Sequence, residues 1–297
     1  EKDYQNGMGR RALQSYLKYG YIPLEDSVPD AFHTKEQVSR TLEYAYDDFV
    51  LSQVAKQLQK NEDYKLLSVR AQNYRNVIDP QTGYAQGRYA DGTFLKEQNA
   101  FLFAKFITEG APCHYTWYVP HDPYGLMECM GGKEKFISNL DQMFLEPLGK
   151  SKFEFYAQLP DHTGNVGQFS MANEPSLHIP YLYNYAGQPW KTQKLIRTLL
   201  KTWFRNDLMG IPGDEDGGGM SAFVVFSSLG FYPVTPGFPA YNIGSPLFSK
   251  TKVKLSNGKI FEIEAQGVSE ENKYIQSANL NGQKWNKPWF SHDDIKN

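Results

Sequence analysis

The sequence predicts a mainly α-helical protein, a helical toroid or bundle, that ends in a small antiparallel β tail. Three observations carry that prediction. Apolar residues recur at helical spacing through most of the first 230 residues. No alternating, strand-like stretch separates those segments. Alternation begins only after Phe231-Tyr232-Pro233-Val234-Thr235-Pro236. The expected division is therefore a helical part over residues 1–240 and a small β-rich segment over 241–297 packed on it.

Each element follows from its own residues. Arg40 to Gln59 carries Leu42, Ala45, Tyr46, Phe49, Val50, Val54 and Leu58 along one helical stripe. Asp63 to Ile78 repeats the pattern and stops at Asp79-Pro80, where proline ends helical pairing. Thr82-Gly83 and Asp91-Gly92 mark residues 80–94 as a long loop or small hairpin. Further helices are expected over Lys133 to Phe144, Pro175 to Tyr185, Trp190 to Phe204 and Ser221 to Leu229. Pro175 suits a first helical turn. In the tail, Lys252 to Leu255 and Ile260 to Ile263 alternate around an Asn257-Gly258 hairpin turn, and Tyr274-Ile275 and Leu280-Asn281-Gly282 continue the β signal.

Composition narrows the function. A length of 297 residues holds one large domain or two smaller ones. The formal net charge of -2 comes without a Lys/Arg run, which argues against a nucleic-acid partner. No apolar stretch approaches the roughly 20 residues needed to cross a bilayer. Aromatic residues make up 15% of the chain, and rings with polar tips suit sugar faces, although most such rings serve as core. Cys113 and Cys129 are expected as free thiols rather than a pair, and are too few for a thiolate zinc site. The chain begins at Glu1 with no methionine, as a processed product or a fragment would.

Three clusters hold candidate chemistry. Gly213-Asp214-Glu215-Asp216-Gly217-Gly218-Gly219 packs three carboxylates beside three glycines. Adjacent carboxylates repel, so the cluster calls for a cation, a proton or a substrate. A helix-loop-helix calcium site fails on counting: with Asp214 first, the twelfth position is Val225 where a bidentate Glu is needed. What remains is a carboxylate pair suited to activating water, against the plainer reading of a solvated acidic loop. The second cluster is Thr108-Glu109-Gly110 with His114 to Asp122. Glu109, amid Phe106, Ile107, Trp117 and Tyr118, suits a general acid kept protonated by desolvation, or simply a carboxylate at a helix start. His121-Asp122 binds a substrate hydroxyl or ties its loop to a neighbour, the tie being favoured. The third is Gly167-Gln168 through Asn173-Glu174-Pro175 to His178. Asn173 and Glu174 are hard oxygen donors that suit Ca²⁺, while Asn173 also suits a helix N-cap. His178 reads as a core histidine.

Ordered along the chain, these residues resemble one family, the glycoside hydrolase family 92 α-mannosidases. The resemblance rests on Ser39-Arg40-Thr41-Leu42-Glu43-Tyr44-Ala45-Tyr46-Asp47-Asp48, on Thr108-Glu109-Gly110 with Tyr115-Thr116-Trp117 and Val119-Pro120-His121-Asp122, and on Asn173-Glu174-Pro175-Ser176. It extends through Gly213-Asp214-Glu215-Asp216, Leu229-Gly230-Phe231-Tyr232-Pro233-Val234 and His292-Asp293-Asp294-Ile295. The resemblance implies an (α/α)₆ toroid, incomplete here and preceded in the parent by early toroid helices and an N-terminal β-sandwich. It implies exo-acting, inverting hydrolysis of terminal α-mannose in mannose-containing glycans, with Ca²⁺ on the sugar hydroxyls. An inverting pair of carboxylates is held roughly 6.5–9.5 Å apart with a water between base and sugar.

Carried over by motif, Glu109 is the expected acid, and Asp214 and Asp216 supply the base, with Asp216 first. Asn173 and Glu174 are the expected metal ligands, and His121, Asp122, Gln168 and Glu174 the substrate contacts. Met171 and Ala172 stand where α-1,2-specific members resemble His-Glu, which weighs against an α-1,2 preference, and Gly219 replaces a usual Gln or other polar residue. The resemblance points to a secreted or periplasmic parent and to a 297-residue piece inactive by itself. The competing readings are a non-catalytic carbohydrate-binding protein and a toroid glycosidase for another sugar.

Overall fold

The computed structural model describes residues 2–5 and 7–296. By contacts the chain forms two compact units, Glu1–Pro160 and Asp161–Asn297.

The first unit is helical: α1 (Leu13–Tyr19), α2 (Gln37–Gln57), α3 (Asn61–Arg70), α4 (Pro112–Tyr115), α5 (Pro123–Cys129), α6 (Lys133–Leu145) and α7 (Lys152–Gln158). The long α2 buries Val38, Thr41, Leu42, Ala45, Asp48, Ser52 and Ala55, one stripe of its surface, and packs on α3. The single helix expected to Ile78 divides instead into α3 and a 3₁₀ turn, Asn73–Val77. Gly20 ends α1 at a φ of 72°, and its N–H donates to the Tyr16 carbonyl. After Ile78, the Asp79 carboxylate accepts from the Gln81 N–H and the Thr82 hydroxyl, closing the loop that Asp79-Pro80 predicts. Isolated antiparallel bridges Ile78–Ala85 and Arg88–Phe94 hold its two sides. Thr116 and Trp117 are both fully buried. The Thr116 hydroxyl accepts from the Ala85 N–H at 2.8 Å, and the Trp117 indole N–H donates to the Cys113 carbonyl at 2.9 Å. Cys113 is buried, Cys129 is partly so, and both are free thiols.

The second unit carries β1 (Asn165–Val166), β2 (Phe169–Ser170), α8 (Leu182–Tyr185), α9 (Pro189–Trp203), α10 (Gly219–Leu229), β3 (Phe231–Tyr232), β4 (Ala240–Ile243), β5 (Lys250–Lys254), β6 (Ile260–Glu264), β7 (Ala278–Leu280), β8 (Gln283–Trp285), β9 (Trp289–Ser291) and α11 (Asp293–Lys296). All of its strand pairs are antiparallel. The β5–β6 hairpin forms around Asn257-Gly258 as expected, whereas Tyr274-Ile275 is not a strand. The helix expected over 175–185 is broken into 3₁₀ turns Glu174–Ser176 and Ile179–Tyr181 followed by α8. Pro180 explains the break, since it has no N–H to donate into a continuing helix.

The contact division falls at 160/161 and not at 240/241. The physical reason is that β4 pairs with β3 on one side and β9 on the other, so strands after residue 240 are bonded to residues before it. Asn184 of α8 adds to this tie, donating from Nδ2 to the carbonyls of Ile243 and Pro288. Among the described residues, no helix is long and apolar enough to cross a membrane.

Candidate functional site

In the second unit three stretches of chain converge around Asp216. The first is the β1–β2 hairpin and its approach, Asp161 to Ala172. It is zipped to the second by the Thr163 hydroxyl, which donates to the Pro212 carbonyl at 2.5 Å. Gly213 meets Ala172 so closely that a Cβ there would lie 2.7 Å from the Ala172 Cβ, which requires glycine or a shift of the loop. The third is the turn at Glu174, whose N–H donates to the Asp216 carboxylate.

The three carboxylates of the acidic run then separate by role. Glu215 caps α10 and the turn before it, accepting from the Gly218 N–H at 2.5 Å and the Ser221 N–H at 3.2 Å. Hydrogen bonds from Ser221 and Gly218 hold its carboxyl below the ordinary value. Asp216 sits at a φ of 56°, a left-handed conformation that Asp and Asn tolerate better than most residues, with Gly217 beside it at 61°. Partial burial, then the like charges of Asp214, Asp161 and Glu215, push the Asp216 carboxyl above its ordinary value. A carboxylate surrounded by three others accepts a proton more readily than an isolated one. That is the property a water-activating base needs.

The Asn173-Glu174 stretch lies against this cluster. Asn173 occupies the N-cap position of the 3₁₀ turn, yet its side chain makes no capping bond. Its Nδ2 instead pairs with Nε2 of His162 at 3.1 Å, and both residues are buried. The plainer N-cap reading of Asn173 therefore does not describe its side chain. Gly219 lies between the two clusters: a Cβ there would be 3.7 Å from the Asp216 Cβ and 3.9 Å from the Glu174 Cγ, ordinary contact distances. Tyr232, pushed up to about 12 by burial and by the charge of Glu174, stacks on Tyr181 at 5.2 Å and gives the cluster an aromatic neighbour. Gln168 lies in the β1–β2 turn after Gly167 with its side chain buried, and His178 is buried as a core residue.

The Asn173 amide and the Glu174 carboxylate are hard donors that match Ca²⁺ in kind. In number they fall short of the roughly six to eight oxygens Ca²⁺ takes. Among the described residues no group of three or more His, Cys, Asp or Glu side chains is placed to hold a metal.

The first unit contains Glu109. It too has a left-handed φ, 42°, and is followed by a glycine. Residues 34–39 are laced to 105–108: the Lys105 carbonyl accepts from the N–H groups of Lys35 and Glu36, the Phe106 carbonyl from that of Val38, and Ser39 Oγ from the Thr108 N–H. This brings His33 Nε2 within 3.6 Å of Glu109 Oε2. Tyr115, whose hydroxyl is pushed up chiefly by burial and then by Glu109, keeps its proton and donates it to the Glu109 carboxylate. The expected apolar seat is thus a partly open one: the Glu109 side chain is 22% exposed and ringed by polar partners.

His121 and Asp122 are engaged by the scaffold, the loop tie weighed in the sequence. His121 Nε2 bonds the Ala71 carbonyl at 2.9 Å, and its ring lies among Tyr46, Phe49 and Tyr74. Burial keeps this imidazole neutral by lowering its pKa. Asp122 caps α5 through the Gly125 N–H and accepts from the Tyr74 hydroxyl at 2.7 Å. Burial works to raise its carboxyl, but Tyr74, Gly125, Gln72 and Arg75 outweigh it and hold the value low. These contacts give both side chains a structural task.

Sequence reading missed Asp161, His162, His33 and Tyr115 as neighbours of the candidate groups. Tyr115 stood in a quoted motif without a role. Asp161 and His33 lie far along the chain from Asp216 and Glu109, while His162 is eleven residues from Asn173 but outside any motif read there.

The sequence model of the glycosyl hydrolase family 92 catalytic domain matches residues 1–297. A protein of Arthroderma benhamiae described as an uncharacterized secreted glycosidase is 29% identical over 97% of this chain and 38% of its own. Among solved structures, a family GH92 alpha-mannosidase from Bacteroides thetaiotaomicron matches with a TM-score of 0.85 and 38% identity, over 97% of this chain and 36% of that one. A family GH92 inverting mannosidase from Bacteroides thetaiotaomicron VPI-5482 matches with a TM-score of 0.84 and 36% identity, over 99% and 40%. The chain thus spans 36% to 40% of the length of these relatives.

Proposed function

The chain belongs to glycosyl hydrolase family 92, and from that premise we propose that the complete protein carrying it is an exo-acting α-mannosidase working with inversion. Its substrates are mannose-containing glycans with terminal α-linkages. The observation that carries this reading is Asp216, raised by burial and by three neighbouring carboxylates and bonded to the N–H of Glu174 beside Asn173. Two structural relatives, an alpha-mannosidase and an inverting mannosidase, support it.

In this reading Asp216, with Asp214, takes a proton from the attacking water. Glu109 gives a proton to the leaving oxygen as the glycosidic bond breaks, while the water's oxygen bonds the anomeric carbon from the opposite face of the sugar. Asn173 and Glu174 would contribute two of the ligands of a Ca²⁺, which would supply charge stabilisation and orientation at the sugar hydroxyls. Glu174 and Gln168 contribute to sugar binding, and His121 and Asp122 hold their own loop to Ala71 and Tyr74. The helices form part of an (α/α)₆ toroid completed by the remainder of the protein, and residues 1–240 belong to it. The 297-residue piece has no turnover by itself, and the complete protein is secreted or periplasmic, as one relative is described.

The test is a panel of α- and β-linked aryl glycosides with the complete protein, with and without Ca²⁺. Turnover of α-mannosides alone, with β-mannose as the first sugar seen by NMR, is the expected result. First-formed α-mannose would sink the inverting assignment. A chelator should remove activity and added Ca²⁺ restore it, and activity indifferent to both would remove the metal from the scheme. Glu109→Gln should lose about 10²–10⁴-fold on poor leaving groups and much less on activated aryl ones. An equal loss on both kinds would count against Glu109 as the acid.

A further inference from the structure

Glu109 does not face an apolar wall. Two groups from different stretches of the first unit converge on its carboxylate: the Tyr115 hydroxyl as a hydrogen-bond donor, and the His33 imidazole at 3.6 Å from Oε2. His33 is held from behind, since its N–H donates to Glu36 Oε1 at 2.7 Å while the other Glu36 oxygen pairs with Arg40. Its ring is also flanked edge-on by Phe32 at 4.5 Å. The lacing of residues 34–39 to 105–108 fixes the backbone on both sides of this pair. The His33 side chain remains 35% exposed, so it exchanges protons with solvent while touching the carboxylate.

We propose that His33 is a positioning residue for Glu109: it holds the carboxylate in place and, through its own charge, sets the pH at which Glu109 loses its proton. The inference rests on Glu109 being the general acid. Imidazole is the one side chain whose ordinary titration lies near neutrality, and this one sits beside the carboxylate. When His33 is protonated it favours ionised Glu109, which is the wrong form for an acid. The other charges in this neighbourhood are arranged so that His33 is the variable one. Glu36 is paired with Arg40, and Lys35 reaches away to the Ser27 carbonyl. Glu43 is bonded to the Tyr118 hydroxyl, and Lys105 is exposed. Tyr115 stays protonated and donates throughout.

The experiment is the pH profile of kcat/KM for the complete protein on an α-mannoside with a poor leaving group. It is run for wild type, His33→Asn, His33→Lys and Glu109→Gln. Removing the titrating cation should move the basic limb up by about one pH unit, and a permanent cation should move it down. Opposite shifts support the proposal, and a limb that stays put, or moves the same way in both variants, overturns it. A merely structural role has no means of producing signed shifts. If Glu109→Gln keeps wild-type turnover on the same substrate, it is the acid assignment that fails. If that variant collapses while the limb of the two His33 variants does not move as stated, only the role of His33 fails.

Discussion

Asp216→Asn in the complete protein should lose about 10²–10⁴-fold in turnover while its fold becomes more stable at neutral pH. Both halves come from the same surroundings, partial burial and three neighbouring carboxylates. Asp214, Asp161 and Glu215 raise the Asp216 carboxyl, after partial burial, and thereby make it a better proton acceptor. A carboxyl whose folded value lies above its unfolded one favours folding below the unfolded value. That advantage is lost as pH rises through the folded one. At neutral pH the ionised group therefore works against the fold. Asparagine removes the charge, keeps the size and tolerates the φ of 56° at this position. The expected result is a higher thermal midpoint for the variant than for wild type at pH 7, with the difference closing as pH falls through the carboxylate range. A variant that kept turnover within tenfold would move the role of base to Asp214. A variant that lost both turnover and stability would show that Asp216 holds the turn rather than activating water.

Local pattern made much of this legible. The stripes of α2, α6, α9 and α10 were readable because each is continuous, and the β5–β6 hairpin because Asn257-Gly258 separates two alternating runs. Pro180, by contrast, sat inside a span whose apolar residues suggested a single helix, and its missing N–H overrode the period. The acidic run was visible as a cluster, but not the division of labour within it. Which of three adjacent carboxylates caps a helix depends on where Gly218 and Ser221 point their N–H groups. Asp161 was invisible as a site neighbour because more than fifty residues separate it from Asp216, and the two stretches meet through the Thr163–Pro212 bond and the close approach of Gly213 to Ala172, which no local pattern announces. His121-Asp122 shows the reverse case. For this polar pair the residues favoured a loop tie over a substrate contact, and the structure shows that tie.

Asp48→Ala should be the most damaging single change to the first unit, costing about 3–5 kcal/mol. Asp48 is 1% exposed and lies on the buried face of α2. Its Oδ1 accepts from Arg10 at 2.9 Å and from Arg70 at 3.1 Å, and its Oδ2 from Arg70 Nε at 3.0 Å and the Tyr16 hydroxyl at 3.0 Å. Four donors on one carboxylate leave none of its lone-pair directions idle. Arg10 and Arg70 also lie over the Tyr16 ring, at 6.0 and 5.7 Å, so the three side chains are held as a set. Removing the carboxylate leaves two largely buried guanidinium groups without the anion they share, Arg10 keeping its longer pair with Asp47 at 3.4 Å, and a buried tyrosine hydroxyl short of one acceptor. The cost is that of uncompensated charge, which differs from the net worth of the ionic set. Replacing Asp48, Arg10 and Arg70 together by apolar side chains of similar volume should therefore recover most of the loss. Urea denaturation of the single and triple variants decides the matter. A triple variant as unstable as Asp48→Ala would mean that the ionic set itself, and not the stranded charges, holds α1, α2 and α3 together.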